Sequence, residues 1–571
     1  MDTPRLYYGR SEPEAEETGG RLPTALAIPG DQGLAVSTLG WQVVYRMLAL
    51  DPAFAVERFF VDKRSLARLG NKSDSLISAD SKRPLSSFPL IAPSITFEED
   101  YIQLVRMLDA AGVPALAAER PDLPLVVAGG PVAFLNPAPI APFVDAFWVG
   151  EAEGGLLELF HLLKDRIFEG ADKQDILQEI STIEGVYVPG LTKGKVKRVL
   201  APTEQNSDGA LEVNTLNHPA YSCFISDAAA FRDTLLLEVN RGCPYGCRFC
   251  AAGYIYRPPR HAKMEDLKTI VEYTNPPKVG LVGTALTDWP DLMPFLNWLQ
   301  ERKTKFSLSS MRADGLTEEF LVFLRKCGVR TITLALEGAS DRIRNMANKR
   351  LKKEDVLKVV ELAAKLGINH LRLYMIIGWP GETDEDYQEL DSFFQDIIAA
   401  RAKGQGKKKK QFMRITLGAS SLVPKPWTPF QWAPCASEKH LNEIHKKLKK
   451  MVKPLKGVAI SGDNPFQARL QTVLSRGGED IAEFISLAAR NGGWKKGYKL
   501  WDHDFSEFID EEIPYEKELP WDVIDMGVSK EYLRKEWLRG QESKISPTCP
   551  AKGCSHCGRC ECGEIVPQNN F

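Results

Sequence analysis

Two long stretches of this sequence alternate short apolar runs with segments of helical periodicity, and this alternation constrains the fold more than any other feature. In the first stretch, WQVVYRMLAL and EDYIQLVRMLDAAG have the apolar spacing of helices. The apolar runs around them are TALAI (24–28), VERFFV (56–61), FPLIAPS (88–94), LPLVVAGG (123–130) and DAFWVG (145–150). Alternation of this kind predicts an open parallel α/β sheet of the Rossmann or flavodoxin-like class.

The second stretch begins at residue 234 and contains six further strand candidates, with helical segments between them. They are TLLLEVN (234–240), KVGLVG (278–283), KFSLSSM (305–311), TITLALEG (331–338), HLRLYMIIG (370–378) and FMRITLGASSLV (412–423). Six strand–helix units predict a parallel, curved sheet. We therefore expect a partial (β/α)6 TIM-like barrel with its site at the carboxyl ends of the strands.

These patterns divide the chain into five segments of an α/β protein. At 571 residues the chain is too long for one hydrophobic core, so several domains are expected. The segments are a disordered or extended N-terminus (1–21), a Rossmann-like domain (22–168), a linker with a small hairpin (169–230), the barrel (231–436) and a mostly helical, cysteine-rich C-terminal region (437–571). The hairpin is expected from GVYVPG (185–190) and GKVKRVL (194–200).

Charge and apolar content argue against two classes of partner. The net charge of −2 gives no overall attraction to nucleic acid or to an anionic membrane. No apolar run reaches the about 18 residues of a membrane span, and the first 20 residues are polar and acidic, so we expect a cytoplasmic protein. Eleven cysteines in such a chain favour metal or redox chemistry over structural disulfides.

Three cysteines, Cys243, Cys247 and Cys250, follow the first barrel strand in the spacing C-x3-C-x2-C. A structural zinc site normally has four ligands, and a disulfide would leave one thiol over. A [4Fe–4S] cluster held by three thiolates keeps one iron free for another ligand. The motif therefore favours an iron–sulfur cluster with an open iron, in the loop where barrel folds place their chemistry.

The pattern C-x3-C-x-F-C after the first strand resembles the signature of the radical S-adenosylmethionine (SAM) superfamily. In that family the open iron binds the amino and carboxylate groups of SAM. The reduced cluster then cleaves SAM to methionine and a 5′-deoxyadenosyl radical. The resemblance implies a [4Fe–4S] cluster on these three cysteines, with SAM as its ligand and a flavodoxin or ferredoxin as electron donor.

Later strand ends are similar to the SAM-contacting segments of the same family. LVGTA (281–285) ends the second strand, SSMRAD (309–314) the third and GWPGET (378–383) follows the fifth. Glycine in such a turn permits close approach of the backbone to a ligand. The residues that this resemblance implies as SAM contacts are Phe249, Gly283, Thr284, Ala285, Ser310, Arg312, Glu337, Ile377 and Gly378.

The N-terminal α/β unit resembles the cobalamin-binding domain that precedes the barrel in one large radical SAM subgroup. AGGP (128–131) is similar to the Gly-Gly turn that packs against the corrin. APSIT (92–96) is similar to the segment that accommodates the dimethylbenzimidazole. The cobalamin contacts that this resemblance implies are Ser94, Gly129, Gly130 and Pro131.

The first loop of this unit departs from the best-known cobalamin domains. Those domains carry Asp-x-His-x-x-Gly, whose histidine ligates cobalt, whereas this loop reads PGDQGLAVSTLG (29–40) and no histidine precedes His161. If cobalamin binds, its lower face has no histidine ligand, and Gln32, Leu34 and Val36 are assigned to that face on loop position alone. The alternative is a Rossmann unit that has lost cobalamin and only covers the barrel.

The segment AAGYIYRPPR (251–260) directly follows the cysteine motif. Together with PWDVIDMGVSKEYLRKEW (520–537) and the final cysteines, it resembles one uncharacterised group of radical SAM proteins with a cobalamin-type domain. Tyr254, Tyr256 and Arg257 of this segment are expected to line the space between SAM and cobalamin, with Tyr254 and Arg257 as the catalytic candidates. The alternative is that all three side chains only pack the loop.

Five more cysteines lie near the C-terminus, in CPAKGCSHCGRCEC (549–562). They are Cys549, Cys554, Cys557, Cys560 and Cys562. The C-x2-C-x2-C core resembles the ligand spacing of ferredoxin-type clusters. The same cysteines, with His556, also suit a zinc ion, and a flexible thiol-bearing tail is the third interpretation.

The combined resemblance predicts a cobalamin-dependent radical SAM enzyme, a C-methyltransferase that acts on an unactivated carbon of an organic or peptide substrate. In such enzymes the cofactors carry the chemistry while the protein orients them. Two alternatives stay open: a cyclisation, rearrangement or redox reaction without net methyl transfer, and a vestigial metal-bearing binding or scaffold protein. A role in nucleic-acid modification has no support from the charge balance.

Overall fold

The first alternating series folds into the α/β unit that the sequence predicts. The computed structural model describes residues 5–6, 19–61, 76–201, 215–309, 311–406, 413–549 and 557. Up to residue 230 the strands are β1 (Arg5–Leu6), β2 (Leu22–Ile28), β3 (Phe54–Phe60), β4 (Leu90–Pro93), β5 (Leu125–Ala128), β6 (Ala146–Trp148), β7 (Val186–Tyr187), β8 (Val196–Lys197), β9 (Thr215–Leu216) and β10 (Phe224–Ile225). The helices of this part are α1 (Gln32–Ala35), α2 (Leu39–Leu50), α3 (Tyr101–Ala110), α4 (Pro131–Leu135), α5 (Leu156–Glu169) and α6 (Lys173–Ile180).

Six of these strands form one sheet in the order β3-β2-β4-β5-β6-β7. All are parallel except β7, which runs antiparallel to β6. The five parallel strands have the 2-1-3-4-5 order of flavodoxin-like folds, in which ligands bind at the carboxyl ends where the strand order reverses. In this sheet the reversal lies between β2 and β4, and the predicted fold class is confirmed.

Both faces of this sheet are buried, which explains its nearly continuous apolar strands. On β2, Ala25 and Ala27 pack into the core that contains α3, whereas Leu26 and Ile28 pack into the core that contains α2 and α5. Successive side chains of a strand point to opposite faces. The carboxyl edge of the sheet is therefore the part left free to meet the rest of the chain.

The second series supplies the barrel and the C-terminal region. Its strands are β11 (Leu235–Arg241), β12 (Arg260–Ala262), β13 (Lys278–Gly283), β14 (Lys305–Leu308), β15 (Thr331–Glu337), β16 (His370–Ile377), β17 (Arg414–Ser421), β18 (Val458–Gly462) and β19 (Ile524–Asp525). Its helices are α7 (Ala252–Ile255), α8 (Met264–Thr274), α9 (Leu292–Glu301), α10 (Glu318–Lys326), α11 (Asp341–Met346), α12 (Lys353–Lys365), α13 (Asp384–Gln405), α14 (Glu438–Val452), α15 (Pro465–Arg476), α16 (Ala482–Arg490), α17 (Trp494–Leu500), α18 (Ser506–Ile509) and α19 (Lys530–Gln541). None of the helices that the structure describes combines the length and the apolar surface of a membrane span.

The barrel strands form one curved parallel sheet. Strands β11, β13 and β14 pair in parallel, and so do β15 to β18. A parallel bridge between Met311 and Leu334 joins the two groups. Side chains on the convex face, such as Leu373 and Leu417, pack under the helices. The predicted partial barrel is confirmed, and its concave face lies on the side away from those helices.

Two features of the fold differ from the sequence predictions. GVYVPG and GKVKRVL do not form a hairpin, because β7 pairs with β6 and β8 pairs in parallel with β19. Strand β18 adds a further parallel strand to the barrel in a region predicted as mostly helical. Strands β7 and β8 pair with strands that are not their neighbours in the predicted hairpin, and local sequence does not encode such pairing.

The C-terminal region packs against both α/β units. Helix α16 lies on α3, where Arg490 pairs with Asp109 at 3.0 Å and Arg106 Nε donates to Ala489 O at 2.8 Å. One apolar core includes residues of the N-terminal sheet, the end of the barrel and the C-terminal helices. The domain boundaries drawn from the sequence stay predictions, because this core is shared between segments.

Candidate active site

The cysteine loop (243–250) lies at the carboxyl end of β11. Gly242 begins it with a φ of +87°, and a Cβ there would lie 2.3 Å from Tyr256 O, so only glycine fits. The Thr284 hydroxyl, at the end of β13, donates to Gly242 O. The turn therefore brings the cysteines next to the second strand end, as the sequence predicts for a site at the carboxyl ends of barrel strands.

The three thiols of this loop are partly or fully buried and lie close to one another. Burial is the largest cause that raises the pKa of Cys243 to about 12 and that of Cys250 to about 11, and the Cys247 thiol is a further cause. Two backbone hydrogen bonds lower these pKa values: the N–H of Tyr245 donates to Cys243, and the N–H of Gly253 donates to Cys250. Such N–H contacts stabilise a thiolate, which is the form that ligates metal.

The arrangement of the thiols fits a cluster better than a single ion. Among the described residues, no three His, Cys, Asp or Glu side chains are grouped so that they could hold one metal ion. In a [4Fe–4S] cluster each thiolate binds a different iron, so the sulfurs stand farther apart than around tetrahedral zinc. Three cysteines on one loop supply the three thiolates of a cluster with one open iron.

Positive side chains lie close to Cys247. Lys349 Nζ is 3.0 Å from Glu337 Oε1, and the Arg312 guanidinium is 3.7 Å from the centre of the Tyr245 ring. Burial raises the pKa of Cys247, whereas the charges of Lys349 and Arg312 lower it. Nearby cations favour an anionic group. Glu337 and Arg312, both predicted SAM contacts, therefore lie beside the cysteine loop.

Arg248 anchors this loop and was not among the predicted site residues. Its side chain is fully buried, and Nη2 lies 3.0 Å from Glu536 Oε2 and 2.7 Å from Ser546 Oγ. Nη1 donates to two carbonyls of α11 at 3.0 Å. A buried arginine needs such a paired and hydrogen-bonded setting. Nothing in the motif indicates the partner, because Glu536 lies 288 residues farther along the chain.

A cavity of about 410 Å³ lies between the N-terminal sheet and the cysteine-loop end of the barrel. The carboxyl ends of β4, β5 and β6 and the start of α2 line one side, and the ends of β11 and β13 line the other. It therefore lies at the strand-order reversal, where flavodoxin-like sheets bind ligands. The predicted SAM and cobalamin contacts that line it are Ser94, Gly129, Gly130, Pro131, Gly283 and Thr284.

Two glycines shape the β5 side of this cavity. Gly130 has a φ of +105°, and a Cβ there would lie 2.5 Å from Ile95 O. A Cβ at Gly129 would have no heavy atom within 4 Å. The backbone of Gly129 therefore faces open space, so a bound molecule can approach it closely.

A buried ion network forms one wall of the cavity and links the two α/β units. Arg241 Nη1 is 3.0 Å from Glu151 Oε2, and Nη2 is 3.0 Å from Glu153 Oε1. Nη2 is also 2.8 Å from Glu238 Oε2, and Arg260 pairs with the other oxygen of Glu151. Burial alone would raise the pKa of Glu151, but the hydrogen bond from Arg260 and the charges of both arginines lower it to about 2. Glu151 is therefore ionised at neutral pH.

The three residues assigned to the lower face of cobalamin, Gln32, Leu34 and Val36, do not line the cavity. The chain turns at α1, where a Cβ at Gly33 would lie 2.7 Å from Ala228 O, so α1 packs against that segment instead. The structure does not bring these residues to the cavity, and their assignment to cobalamin stays a prediction. The residues of this part of the chain that line the cavity are Thr38, Leu39, Gly40, Trp41, Val43 and Val44.

The predicted catalytic residues Tyr254 and Arg257 lie outside the cavity, whereas Tyr256 lines it. Tyr254 is fully buried, and its hydroxyl donates to Gly246 O at 3.3 Å. The Arg257 guanidinium is 4.8 Å from the centre of the Tyr254 ring, and its Nη1 is 3.5 Å from Tyr532 OH. These are packing contacts, and a catalytic role for either residue stays a prediction.

Phe249 contacts the turn after β16, where adenine contacts are predicted. Its ring centre is 5.6 Å from that of Trp379, in an edge-to-face arrangement. The side chain of Ile377 is buried in the barrel core, so only its backbone is free to contact a ligand. Glu382 Oε2 accepts a hydrogen bond from Gly378 N at 2.7 Å, and burial raises the pKa of Glu382 to about 7. Glu382 thus holds the turn and was not predicted.

Two further predicted SAM contacts are Ala285 and Ser310. Ala285 is buried, and its carbonyl accepts a hydrogen bond from Asn240 Nδ2 at 2.7 Å. This contact ties the end of β13 to the end of β11. Ser310 lies outside the described residues.

Two of the C-terminal cysteines are described, and one of them contacts the cysteine loop directly. Cys549 N donates to Pro244 O at 2.8 Å. Cys557 is buried, and its carbonyl accepts a hydrogen bond from Ser529 N at 2.9 Å. Cys554, Cys560 and Cys562 lie outside the described residues.

Two family models match the chain across both α/β units. Residues 40–189 match the N-terminal region of radical SAM proteins, and residues 237–394 match the radical SAM superfamily itself. The second match contains the cysteine loop and the strand ends through Gly378. The chain belongs to the radical SAM superfamily. Members of this superfamily use SAM with a [4Fe–4S] cluster, and the three thiols and their cationic surroundings in this radical SAM protein fit that pair.

Two curated relatives and one solved structure extend this finding. An uncharacterized protein of Methanocaldococcus jannaschii is 30% identical over 410 residues, which cover 71% of this chain and 81% of that protein. The ribosomal protein uS12 methylthiotransferase RimO of Thermosipho africanus is 26% identical over 182 residues, 28% of this chain and 41% of that protein. The radical SAM methyltransferase TsrM from Kitasatospora setae, solved with cobalamin and a [4Fe–4S] cluster bound, superposes with a TM-score of 0.50 at 13% identity, over 83% of this chain and 100% of that one. This likeness shows a shared fold.

Proposed function

We propose that this radical SAM protein is a cobalamin-dependent enzyme that transfers a methyl group to an unactivated carbon of an organic or peptide substrate. The observation that carries the proposal is the cavity between the carboxyl edge of the N-terminal sheet and the cysteine loop. That position would hold a second cofactor next to the site where SAM is cleaved. The shared fold with TsrM, which binds cobalamin, supports the same conclusion.

Different residues of the chain would bind the cluster and SAM. Cys243, Cys247 and Cys250 would hold the cluster, and Glu337 and Arg312 would hold SAM. The cofactors would supply reductive cleavage of SAM to methionine and a 5′-deoxyadenosyl radical, with electrons from a flavodoxin or ferredoxin. They would also supply methyl transfer from cobalamin, with a second SAM as the methyl source and S-adenosylhomocysteine as its product.

The cavity itself would position the cobalamin and keep water from the reaction. The open backbone at Gly129 allows a flat macrocycle to approach the sheet edge. The ion network around Arg241 holds the N-terminal sheet against the strand that leads into the cysteine loop. Positioning the reacting groups in this way lowers the entropic part of the activation free energy.

The test uses protein reconstituted anaerobically with iron, sulfide and cobalamin and incubated with methyl-labelled SAM and dithionite. The proposal predicts both 5′-deoxyadenosine and S-adenosylhomocysteine among the products. The control, a Cys243→Ala, Cys247→Ala, Cys250→Ala triple variant, is expected to form no 5′-deoxyadenosine, because it cannot hold the cluster that cleaves SAM.

The product pattern separates the proposal from its alternatives. Deoxyadenosine without S-adenosylhomocysteine would mean a reaction without net methyl transfer. No SAM cleavage by the wild-type protein would favour a binding or scaffold role. An absorbance spectrum of the reconstituted protein without a corrinoid band would remove cobalamin from the proposal.

We also propose that the C-terminal cysteines hold a second metal centre. Cys549 meets the cysteine loop at Pro244, so this centre would lie close to the first cluster. Iron, zinc and sulfide are measured on the triple variant that lacks the first three thiols. Residual iron with sulfide indicates a second cluster, zinc alone indicates a structural ion, and the absence of all three contradicts the proposal.

A further inference from the structure

The concave face of the barrel is polar, in contrast to the apolar layers that fill complete TIM barrels. The registers of β15, β16 and β17 align three rows: Thr331 with His370 and Arg414, Thr333 with Arg372 and Thr416, and Ala335 with Tyr374 and Gly418. The alternate residues, such as Leu373, pack under the helices. Because side chains alternate along a strand, these three rows face the interior.

Two arginines on this face have no acidic partner within the described part of the chain. Arg372 and Arg414 are both exposed, and no carboxylate of the described residues forms an ion pair with either one. Arg414 lies opposite His370, one row below Arg372. From the strand spacing and the rise per residue, their Cα atoms are about 8 Å apart. Two arginine side chains at this distance can reach the same anion.

The groups around the arginines suit an organic ligand. The Tyr374 ring is 43% exposed and lies across Gly418, where a Cβ would come within 2.8 Å of the ring. The Tyr374 ring is therefore an exposed aromatic surface one row above Arg372. His370 Nε2 lies 2.8 Å from Thr416 Oγ1. Burial and the two arginine charges lower the pKa of His370, so this histidine is neutral and can donate or accept.

This face is continuous with the candidate active site. Val282 on β13 is 37% exposed and lines the cavity next to the cysteine loop. Glu238 and Glu337, the carboxylates at the upper end of the face, are already paired with Arg241 and Lys349. Within the three rows the only ionised side chains are Arg372 and Arg414, on strands whose carboxyl ends lead to the site where SAM is expected to bind.

We propose that Arg372 and Arg414 bind an anionic group, a carboxylate or a phosphate, of the substrate that reacts at the carboxyl end of the barrel. This inference rests on the proposed function and narrows its substrate class. Arg372 lies five residues before Ile377, which corresponds to about 16 Å along the strand. The substrate is then an elongated organic anion, bound at one end in the barrel and reacting near the cysteine loop at the other.

The test measures anion binding by titration calorimetry at low ionic strength, with inorganic pyrophosphate as the phosphate probe and citrate as the carboxylate probe. The wild-type protein is expected to bind at least one of them at a single site. The variant Arg372→Gln, Arg414→Gln is expected to bind that probe at least tenfold more weakly. The probe that binds identifies which anionic group the face prefers.

The control is Arg302→Gln, which removes one positive charge from the convex side, where this guanidinium lies 5.0 Å from the centre of the Trp298 ring. It should bind the probe as the wild type does. A charge-conserving Arg372→Lys, Arg414→Lys variant should retain part of the affinity, which separates charge from altered folding. Far-ultraviolet circular dichroism of all variants tests whether they are folded.

The inference is overturned if the wild type binds neither probe or if the glutamine variant binds as tightly as the wild type. The measurement needs neither the cluster nor SAM. If the wild type cleaves SAM but binds no anion, only this inference fails. If it binds the anion but never cleaves SAM, the proposed function fails while the binding site stands.

Discussion

Arg248 takes its role from residues that the cysteine motif does not contain. Its guanidinium is fully buried between Glu536, Ser546 and the carbonyls of α11. A buried ion pair is strongly destabilised when one partner is removed, because the other charge is left without compensation. Arg248 therefore couples the position of the cysteine loop to helix α19.

Replacing Arg248 with alanine is expected to lower the free energy of unfolding by about 3–5 kcal/mol, because the buried Glu536 loses its ion partner at 3.0 Å and keeps only Ser546 and, at 3.9 Å, Arg539. Urea unfolding followed by tryptophan fluorescence measures the change. The iron content after reconstitution should fall as well, because the loop loses its anchor.

Two further variants test this explanation. Replacing both partners, with Arg248→Met and Glu536→Leu, should recover most of the lost stability, since no buried charge is left unpaired. Lys535→Ala, an exposed change on the same helix, should alter stability by no more than about 0.5 kcal/mol. Equal stability of Arg248→Ala and the wild type would contradict the anchoring role.

At the scale of secondary-structure elements, the end of β5 shows how neighbouring glycines serve different purposes. Gly130 lies against the backbone of Ile95 with a positive φ, so it is needed for the turn itself. Gly129 lines the cavity and has free space at its Cβ position. The first glycine is thus structural, whereas the second leaves room for a ligand.

Gly129→Ala is expected to leave the melting temperature unchanged and to weaken cobalamin binding at least tenfold, because the added methyl group projects into the cavity. Corrinoid absorbance of the reconstituted protein reports binding, and calorimetry reports stability. Iron content at the cysteine loop should stay at the wild-type value.

Gly130→Ala is the matched variant, since it adds the same methyl group one residue away. It is expected to be destabilised by at least about 1–2 kcal/mol, from the positive φ alone. Normal cobalamin binding by Gly129→Ala would show that no cofactor approaches the β5 turn.

At the scale of the whole molecule, the ion network around Arg241 connects the N-terminal sheet to the barrel. Glu151 and Glu153 come from the end of β6, whereas Arg241 and Arg260 come from β11 and β12. The cavity lies between these elements. Its shape therefore depends on charges that belong to different parts of the chain.

This network predicts an acid-sensitive contribution to stability. The pKa of Glu151 is lowered from 4.5 to about 2 in the folded protein. The contribution is therefore fully present above about pH 4.5 and is lost as the pH falls towards about 2. At neutral pH it amounts to about 3 kcal/mol, at 1.36 kcal/mol per pKa unit.

Urea unfolding of Glu151→Gln across this pH range measures the effect. The variant should be less stable than the wild type at pH 7, and the difference should shrink between about pH 4.5 and 2. Glu158→Gln, at an exposed position of α5, should follow the wild-type curve. A constant difference between Glu151→Gln and the wild type at every pH would contradict the linkage.

Much of the architecture could be predicted from local patterns. The strands at Leu22–Ile28 and Lys278–Gly283, for example, lie where their apolar runs indicate. The alternation of apolar and polar residues that produces a strand or helix involves only neighbouring positions, so it can be recognised in the sequence. The prediction of a hairpin at residues 185–200 was wrong. Its first strand, β7, pairs with β6 and its second strand, β8, pairs with β19, so the two strands do not pair with each other.

The sequence alone determined the fold class and the position of the cysteine loop, because strand and helix periodicity and the order of three cysteines are local features. The family was indicated by the resemblance of the cysteine motif to the radical SAM signature. Tertiary structure alone decided that Arg248 pairs with Glu536 and that the start of α2 rather than Gln32 lines the cavity. It also decided that two arginines without an ion pair to any described carboxylate share the barrel interior. Each of these features depends on contacts between residues that are far apart in the chain. Burial, charge pairing and free space at a position are set by such tertiary contacts, so a local sequence pattern cannot predict them.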